Sequence, residues 1–243
     1  MQLYGVENTK DFELAFYALI PAAGAGTRLR GERPKQYLAL AGKPMLWHAV
    51  NAVCVPPVEN VFVVLAPEDR EYAQHDWSHF AGRLEPLYCG GATRRDSVHN
   101  GLVAAMAAVD ADDWLLVHDA ARPCLPLRDL ASLIAETRED GIGGILALPA
   151  SDTVKKAAKD EAGVLRSAGA EERSLLWLAQ TPQMFRCGLL LQALKAAKTA
   201  VTDEAGAVEQ MGLRPRLVAG SRENIKVTYP EDLAIAEAIL ARR

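Results

Sequence analysis

Short apolar runs alternate along the chain with stretches whose apolar residues recur at helical spacing. Residues 15–20, 61–65, 84–88, 114–118 and 144–149 predict strands, and 44–54, 69–80, 94–109 and 127–139 predict helices. Strand followed by helix followed by strand is the signature of βαβ units and so of a mostly parallel sheet in an α/β fold. In the helix after Gly91, the residues Val98, Leu102, Ala105, Met106 and Val109 share one stripe, as a crossover helix packed on such a sheet requires. Ligands of these sheets sit at the carboxyl ends of the strands.

The alternation breaks at 150–173. There Thr153-Val-Lys-Lys156 and Gly163-Val-Leu-Arg166 flank the polar run Lys159-Asp-Glu-Ala162, which predicts a protruding hairpin. A segment of that length suits either an arm that recruits a partner or an ordinary surface hairpin. Beyond it, 187–198 and 203–211 read as helices and 216–219 and 224–228 as short strands. The last helix opens at Thr228-Tyr-Pro-Glu231, which has capping-box spacing, and Leu233, Ile235, Ala236, Ile239 and Leu240 form its apolar face.

The first predicted strand empties into Pro21-Ala-Ala-Gly-Ala-Gly-Thr-Arg28 and then into Pro34-Lys-Gln-Tyr37. Gly24 and Gly26 permit φ > 0 and a close approach of backbone N–H groups to phosphate oxygens, with Arg28 and Lys35 to neutralise them. Four basic residues and one acidic residue lie between Arg28 and Lys35, a local +3 in a chain of formal net charge −4. A dinucleotide fingerprint is excluded because Leu29 stands at the third glycine position, and a Walker A loop because Glu32 and Arg33 follow Gly31. A nucleoside triphosphate suits the remaining pattern.

Val117-His-Asp-Ala-Ala-Arg-Pro123 places Asp119 at the end of a strand, where a carboxylate either holds Mg²⁺ or caps the next helix. His118 reads as structural, and Arg122 as a phosphate clamp or a partner of a carboxylate. Gly90-Gly-Ala-Thr-Arg-Arg-Asp-Ser97 forms a second glycine turn at a helix start, able to hold a base edge or simply capped by Thr93 or Asp96. Arg94 and Arg95 read as solvated. His75 and His79 lack the acid of a metalloprotease helix and read as a surface pair, while Trp47, Trp114 and Trp177 read as core.

A chain of 243 residues that is 50% hydrophobic can fill one α/β domain, here expected over 15–243 with an arm at about 150–173 and an N-terminal extension at 1–14. A pI near 5.8 argues against nucleic acid. Cys54, Cys89, Cys124 and Cys187 are dispersed with no C-x-x-C pair, and residues 1–14 carry Glu7, Asp11 and Glu13 in place of a signal peptide. The expectation is a cytoplasmic protein with reduced thiols and no membrane association.

Taken together, Pro21–Arg28, Pro34–Tyr37, Gly90-Gly-x-x-Arg-x-x-Ser97-Val, Val117–Pro123, Asp152-Thr153, Leu176-Trp177, Thr181-Pro-Gln183, Thr202-Asp-Glu-Ala205 and Asn224-Ile-Lys-Val-Thr228 closely resemble the 2-C-methyl-D-erythritol 4-phosphate cytidylyltransferases of the non-mevalonate isoprenoid pathway. The resemblance spans about 15–240 and implies a three-layer, Rossmann-like nucleotidyltransferase fold and a homodimer joined through the arm. It implies that Pro21, Ala22, Ala23, Gly24, Ala25, Gly26 and Thr27, with Arg28 and Lys35, hold the triphosphate of CTP, and that Gly91, Ala92 and Ser97 surround the cytosine and ribose. Asp119 would carry Mg²⁺ or another divalent cation. Arg122, Thr153, Arg173 and Lys226, with Asp119, would position the polyol phosphate, with Arg28, Lys35, Arg173 and Lys226 as the catalytic set.

Two features depart from the family. Ala92 stands where an acidic or amide residue is common, and Ser167–Arg173 differs from the usual valine-rich approach to the arginine. The nearest alternative is a ribitol 5-phosphate cytidylyltransferase. A sugar-1-phosphate or molybdopterin nucleotidyltransferase would share only the first loop. A catalytically silent nucleotide-binding regulator would lack Arg28, Lys35 or Asp119, and all three are present.

Overall fold

The computed structural model describes residues 14–24 and 33–243. Residues 1–13 of the N-terminal extension and the glycine-loop positions Ala25, Gly26, Thr27 and Arg28 therefore lie outside the described residues. In chain order the elements are β1 (Phe16–Pro21), β2 (Ala39–Leu40), β3 (Lys43–Pro44), α1 (Met45–Val53), β4 (Val58–Val64), β5 (Leu84–Leu87), α2 (Arg94–Ala105), β6 (Trp114–Val117) and α3 (Leu127–Thr137). They continue with β7 (Gly143–Pro149), β8 (Lys155–Lys159), β9 (Leu165–Ala170), β10 (Trp177–Arg186), α4 (Cys187–Ala196), α5 (Glu204–Glu209), β11 (Arg216–Ala219) and α6 (Pro230–Leu240).

Seven strands form one sheet in the order β11-β7-β10-β6-β1-β4-β5. β10 runs antiparallel to both neighbours and the other pairings are parallel, so the expected mostly parallel sheet is present. Alternation along the strands sorts the core into two layers. Ala18, Ile20, Val61, Val63 and Leu116 pack against Leu46, Val50, Leu130 and Leu133 of α1 and α3. Leu19, Phe62, Val64, Leu115 and Val117 pack against Val98 and Leu102 of α2 and against Leu190, Leu194 and Val208 of α4 and α5. Together these give the three-layer arrangement.

Several expectations fail, most of them for a local reason. Residues 69–80 form two short 3-10 turns instead of a helix, because the Asp69 carboxylate accepts from the N–H groups of Glu71 and Tyr72, and that of Asp76 accepts from Ser78. Such bonds compete with the helical ladder. Residues 224–228 are not a strand: the Val227 N–H reaches the Ala121 carbonyl (2.8 Å), while the Asn224 carbonyl is taken by side chains. Strand β10 went unread because Pro182 and its polar neighbours interrupt the apolar pattern, and its pairing with β7 is irregular between Ala179 and Gln183. Trp177, expected in the core, opens this strand 39% exposed, and Ile235 of α6 is half exposed, whereas Trp114 is buried. His75 and His79 do not share a helix. His75 stacks on Tyr37 and His79 lies against Trp47.

The segment 150–173 does form a hairpin, with β8 and β9 antiparallel and exposed along their whole length.

Candidate active site

A cavity of about 430 Å³ opens at the carboxyl ends of β1 and β6. Its walls are Pro21 to Gly24, Lys35 and Gln36, Gly91 to Arg94 with Ser97, Asp119 to Ala121, and Lys226 with Thr228. Segments far apart in sequence meet here because each leaves the sheet at the same end.

The first wall is braced from behind. The Gln36 amide donates to the Ala22 carbonyl (2.7 Å) and the Tyr37 hydroxyl to Asp69 Oδ2 (2.8 Å), so the 3-10 turn over Lys35–Tyr37 buries two anchors and leaves Lys35 at the cavity. A Cβ on Gly90 would collide with the Ala23 side chain and the Leu65 carbonyl, so glycine lets the second loop close on the first. Gly24, by contrast, expected to need a positive φ, does not adopt one, and a Cβ there would meet nothing within 4 Å among the described residues.

The second wall is the start of α2. Thr93 caps the helix by accepting from the Asp96 N–H (3.1 Å), and Asp96 accepts in return from the Thr93 N–H (3.2 Å). The Ser97 hydroxyl accepts from the Gly91 N–H (3.1 Å) and donates to the Thr93 carbonyl (3.0 Å). The loop is thus a capped glycine turn, and Gly91, Ala92 and Ser97 line the cavity.

Four alternating charges cross the floor. Glu204 accepts from Arg94 Nη1 and Nη2 (2.6 and 3.0 Å), Arg94 Nε donates to Asp119 Oδ1 (2.9 Å), and Lys226 Nζ lies 2.7 Å from Asp119 Oδ2. Burial alone would raise the Asp119 carboxyl, but Arg94 and then Lys226 outweigh it and hold the group well below the usual carboxylate range. Burial also opposes the charge on Arg94, and Glu204 and Asp119 overcome it, raising the guanidinium above its ordinary value. The expectation that Arg94 is solvated is wrong. Its neighbour Arg95 is likewise engaged, on the Leu194 carbonyl.

Beneath the floor the imidazole of His118 is fully buried. Nε2 must donate to the Arg122 carbonyl (3.0 Å), which leaves Nδ1 to accept from the Thr181 hydroxyl (3.1 Å); that hydroxyl in turn accepts from the Asp119 N–H (2.9 Å). Burial pushes the His118 pKa down to about 4, so the ring is neutral at pH 7. Arg122 is buried as well, and it binds the carbonyls of Asn224 (2.6 Å) and Ala179 (3.3 Å) in place of a carboxylate. It pins the segment that carries Lys226, and it does not line the cavity.

Of the residues expected at the site, Pro21 to Gly24, Lys35, Gly91, Ala92, Ser97, Asp119 and Lys226 come together. Thr153 and Arg173 do not. Both are exposed at the base of the hairpin, where Arg173 donates to the Ser151 carbonyl (2.8 Å). Sequence reasoning missed Arg94 and Glu204. The one signal for Glu204 was the Thr202-Asp-Glu204 run, in which Asp203 caps α5 by accepting from the Gly206 N–H (3.0 Å).

The family model described as 2-C-methyl-D-erythritol 4-phosphate cytidylyltransferase (IspD) matches residues 16–242. Proteins of that name from Nitrosospira multiformis and Dechloromonas aromatica are each 53% identical to this chain over 229 residues. The alignments cover 93% of it and 97% and 98% of the respective relatives. A crystal structure of a 4-diphosphocytidyl-2C-methyl-D-erythritol synthase superposes with a TM-score of 0.80 at 36% identity, covering 94% of this chain and all of its own.

Proposed function

The chain belongs to the 2-C-methyl-D-erythritol 4-phosphate cytidylyltransferase family, and from that premise we propose how its residues carry the cytidylyl group from CTP to methylerythritol 4-phosphate. The products are 4-diphosphocytidyl-methylerythritol and pyrophosphate. The observation that carries the reading is the convergence of Lys35, the Gly91 turn and the Asp119–Lys226 pair on one cavity at the carboxyl end of the sheet. The relatives are named for methylerythritol phosphate, not ribitol phosphate, and for catalysis, not regulation.

In the reaction a phosphate oxygen of the polyol substrate attacks the α-phosphorus of CTP in line. One P–O bond forms as the bond to pyrophosphate breaks. A phosphate monoester is largely ionised at pH 7, so no general base is required. The difficulty is repulsion between two anions and charge gathering on the phosphorus, and preorganised cations supply the remedy. Lys35 lies on the wall formed by residues 21–24, and Arg28 extends the same loop in sequence, so both serve the triphosphate. Lys226, half exposed beside Asp119, serves the incoming phosphate. Ser97 and the backbone around Gly91 and Ala92 hold the nucleoside.

Asp119 suits Mg²⁺ or another divalent cation. Among the described residues lining the cavity it is the sole carboxylate, its Oδ2 already faces a cationic group, and Mg²⁺ takes one or two protein carboxylates with substrate phosphates and waters. Such a cation supplies charge neutralisation at the phosphates and a tether to the protein. Arg122 acts through the segment it pins, steadying Lys226.

Thr153 and Arg173 are assigned to the site of a second copy. The hairpin that carries them projects from the sheet, and Val164, Leu165, Leu175 and Leu178 around it are exposed apolar residues that a partner would cover. Among the described residues no helix is long and apolar enough to cross a membrane, and the four cysteines are unpaired thiols suited to the cytoplasm. The test is a screen of the four ribonucleoside triphosphates against methylerythritol 4-phosphate and ribitol 5-phosphate, scored by pyrophosphate release. Turnover confined to CTP with methylerythritol 4-phosphate is expected. Faster turnover with the ribitol substrate would overturn the assignment.

A further inference from the structure

Asp119 and Glu204 are joined by a single guanidinium. Glu204 does not line the cavity, and its side chain is only 1% exposed. Its place is set independently of Arg94: Gln183 accepts from the Ala205 N–H (2.8 Å) and donates to the Asp203 carboxylate (2.9 Å), and Gln183 pairs with Val117 at the end of the strand that leads to Asp119. The sheet thus ties the start of α5 to the floor of the site.

A guanidinium left facing one carboxylate tends to engage both oxygens with parallel bonds. Here Glu204 occupies Nη1 and Nη2, and Arg94 meets Asp119 edge-on, through Nε and Nη2 on Oδ1 alone. Oδ2 is left to Lys226, the exposed and exchangeable member of the set. We propose that Glu204 is a positioning residue for cytidylyl transfer: by holding both terminal nitrogens of Arg94 it fixes Asp119 through Oδ1 and keeps Oδ2 turned to the cavity as an anionic ligand. The charges fit this role. Glu204 and Asp119 balance Arg94 and Lys226, so neutralising Glu204 turns Arg94 into a full counter-ion of Asp119 and weakens the hold of that carboxylate on any other cation.

The inference rests on Asp119 as the cation-binding carboxylate, and the experiment separates the two. Mn²⁺ binding in the presence of CTP is read by electron paramagnetic resonance, beside kcat and KM, for Glu204→Gln, Asp119→Asn and the double variant, with circular dichroism and thermal melts reporting the fold. Glu204→Gln is expected to weaken Mn²⁺ binding and lower kcat about 10- to 100-fold, the usual scale for an outer-shell partner, with KM for CTP little changed. On the Asp119→Asn background it should add nothing. Arg94→Lys keeps the charge but cannot span both carboxylates, and should show the same loss in a protein whose charge balance is preserved. Wild-type Mn²⁺ affinity in a folded Glu204→Gln or Arg94→Lys protein, or losses that multiply in the double variant, would overturn the proposal. Normal Mn²⁺ binding by Asp119→Asn would overturn the role of Asp119 itself, and the inference with it.

Discussion

Asp119 was legible in the sequence because it ends an apolar strand, at the edge of the sheet where ligands of α/β folds sit, although position alone left helix capping open as its role. Arg94 was not: nothing local distinguishes an arginine in the first turn of a helix from a solvated one, and its partner Glu204 lies 110 residues away. Lys35 follows the glycine loop in sequence and lies at the cavity in space. Replacing it by alanine should lower kcat about 10²- to 10³-fold with the fold intact, the scale for one preorganised donor at a transferring phosphoryl group. Near-normal steady-state turnover in a folded Lys35→Ala protein would remove it from the catalytic set.

His118 gives a prediction of a different kind, in stability against pH. Its pKa falls from the ordinary 6.5 to about 4 on folding, because burial of the ring disfavours its charged form and outweighs the Arg122 carbonyl, which favours it. Between those values the unfolded chain binds a proton that the folded chain does not, so stability is full above pH 6.5 and declines as the pH falls. The decline ends near pH 4 and amounts to ~3 kcal/mol. Urea denaturation of the wild type and of His118→Asn at pH 7 and pH 4.5 measures it. The variant should lose about 2 kcal/mol less than the wild type over that interval, and equal losses would show that another group titrates.

At the scale of elements, the apolar periodicities located the helices of both layers and most of the sheet, since packing on a sheet leaves a stripe in the sequence. What they missed were segments whose backbone is satisfied by side chains, such as 69–80 and 224–228, and a central strand interrupted by Pro182. The glycine-rich loops were found, but the reasons for their glycines differ. Gly90 is required by the close approach of the β5 loop to Ala23 and Leu65, whereas a Cβ on Gly24 would meet nothing within 4 Å among the described residues. Gly90→Ala should therefore cost about 1–3 kcal/mol through overpacking and raise KM for CTP by splaying the two walls. Gly24→Ala should stay within about 0.5 kcal/mol of the wild type in the same denaturation experiment. Comparable losses in the two variants would mean that the walls are not in van der Waals register.

At the scale of the molecule, one chain supplies a cavity lined by Lys35, Asp119 and Lys226 but holds Thr153 and Arg173 out on its hairpin. The hairpin itself was legible, because two short runs of strand-forming residues flank a polar tip. Its occupant was not, since exposed Leu165 and Leu175 look the same in sequence whether water or a protein covers them. The proposed two-fold dimer, in which each arm would complete the other's site, turns that ambiguity into a measurement. Lys35→Ala and Arg173→Ala chains, each nearly inactive alone, are co-expressed with different affinity tags. In a mixed dimer one site collects both defects and the other collects both intact residues. Random pairing makes about half the dimers mixed, each with one working site of two, so activity should recover to about a quarter of the wild type. Purification through both tags in turn should raise this to about half. If Lys35 and Arg173 instead serve the same subunit's site, every site in every dimer carries one defect and co-expression restores nothing.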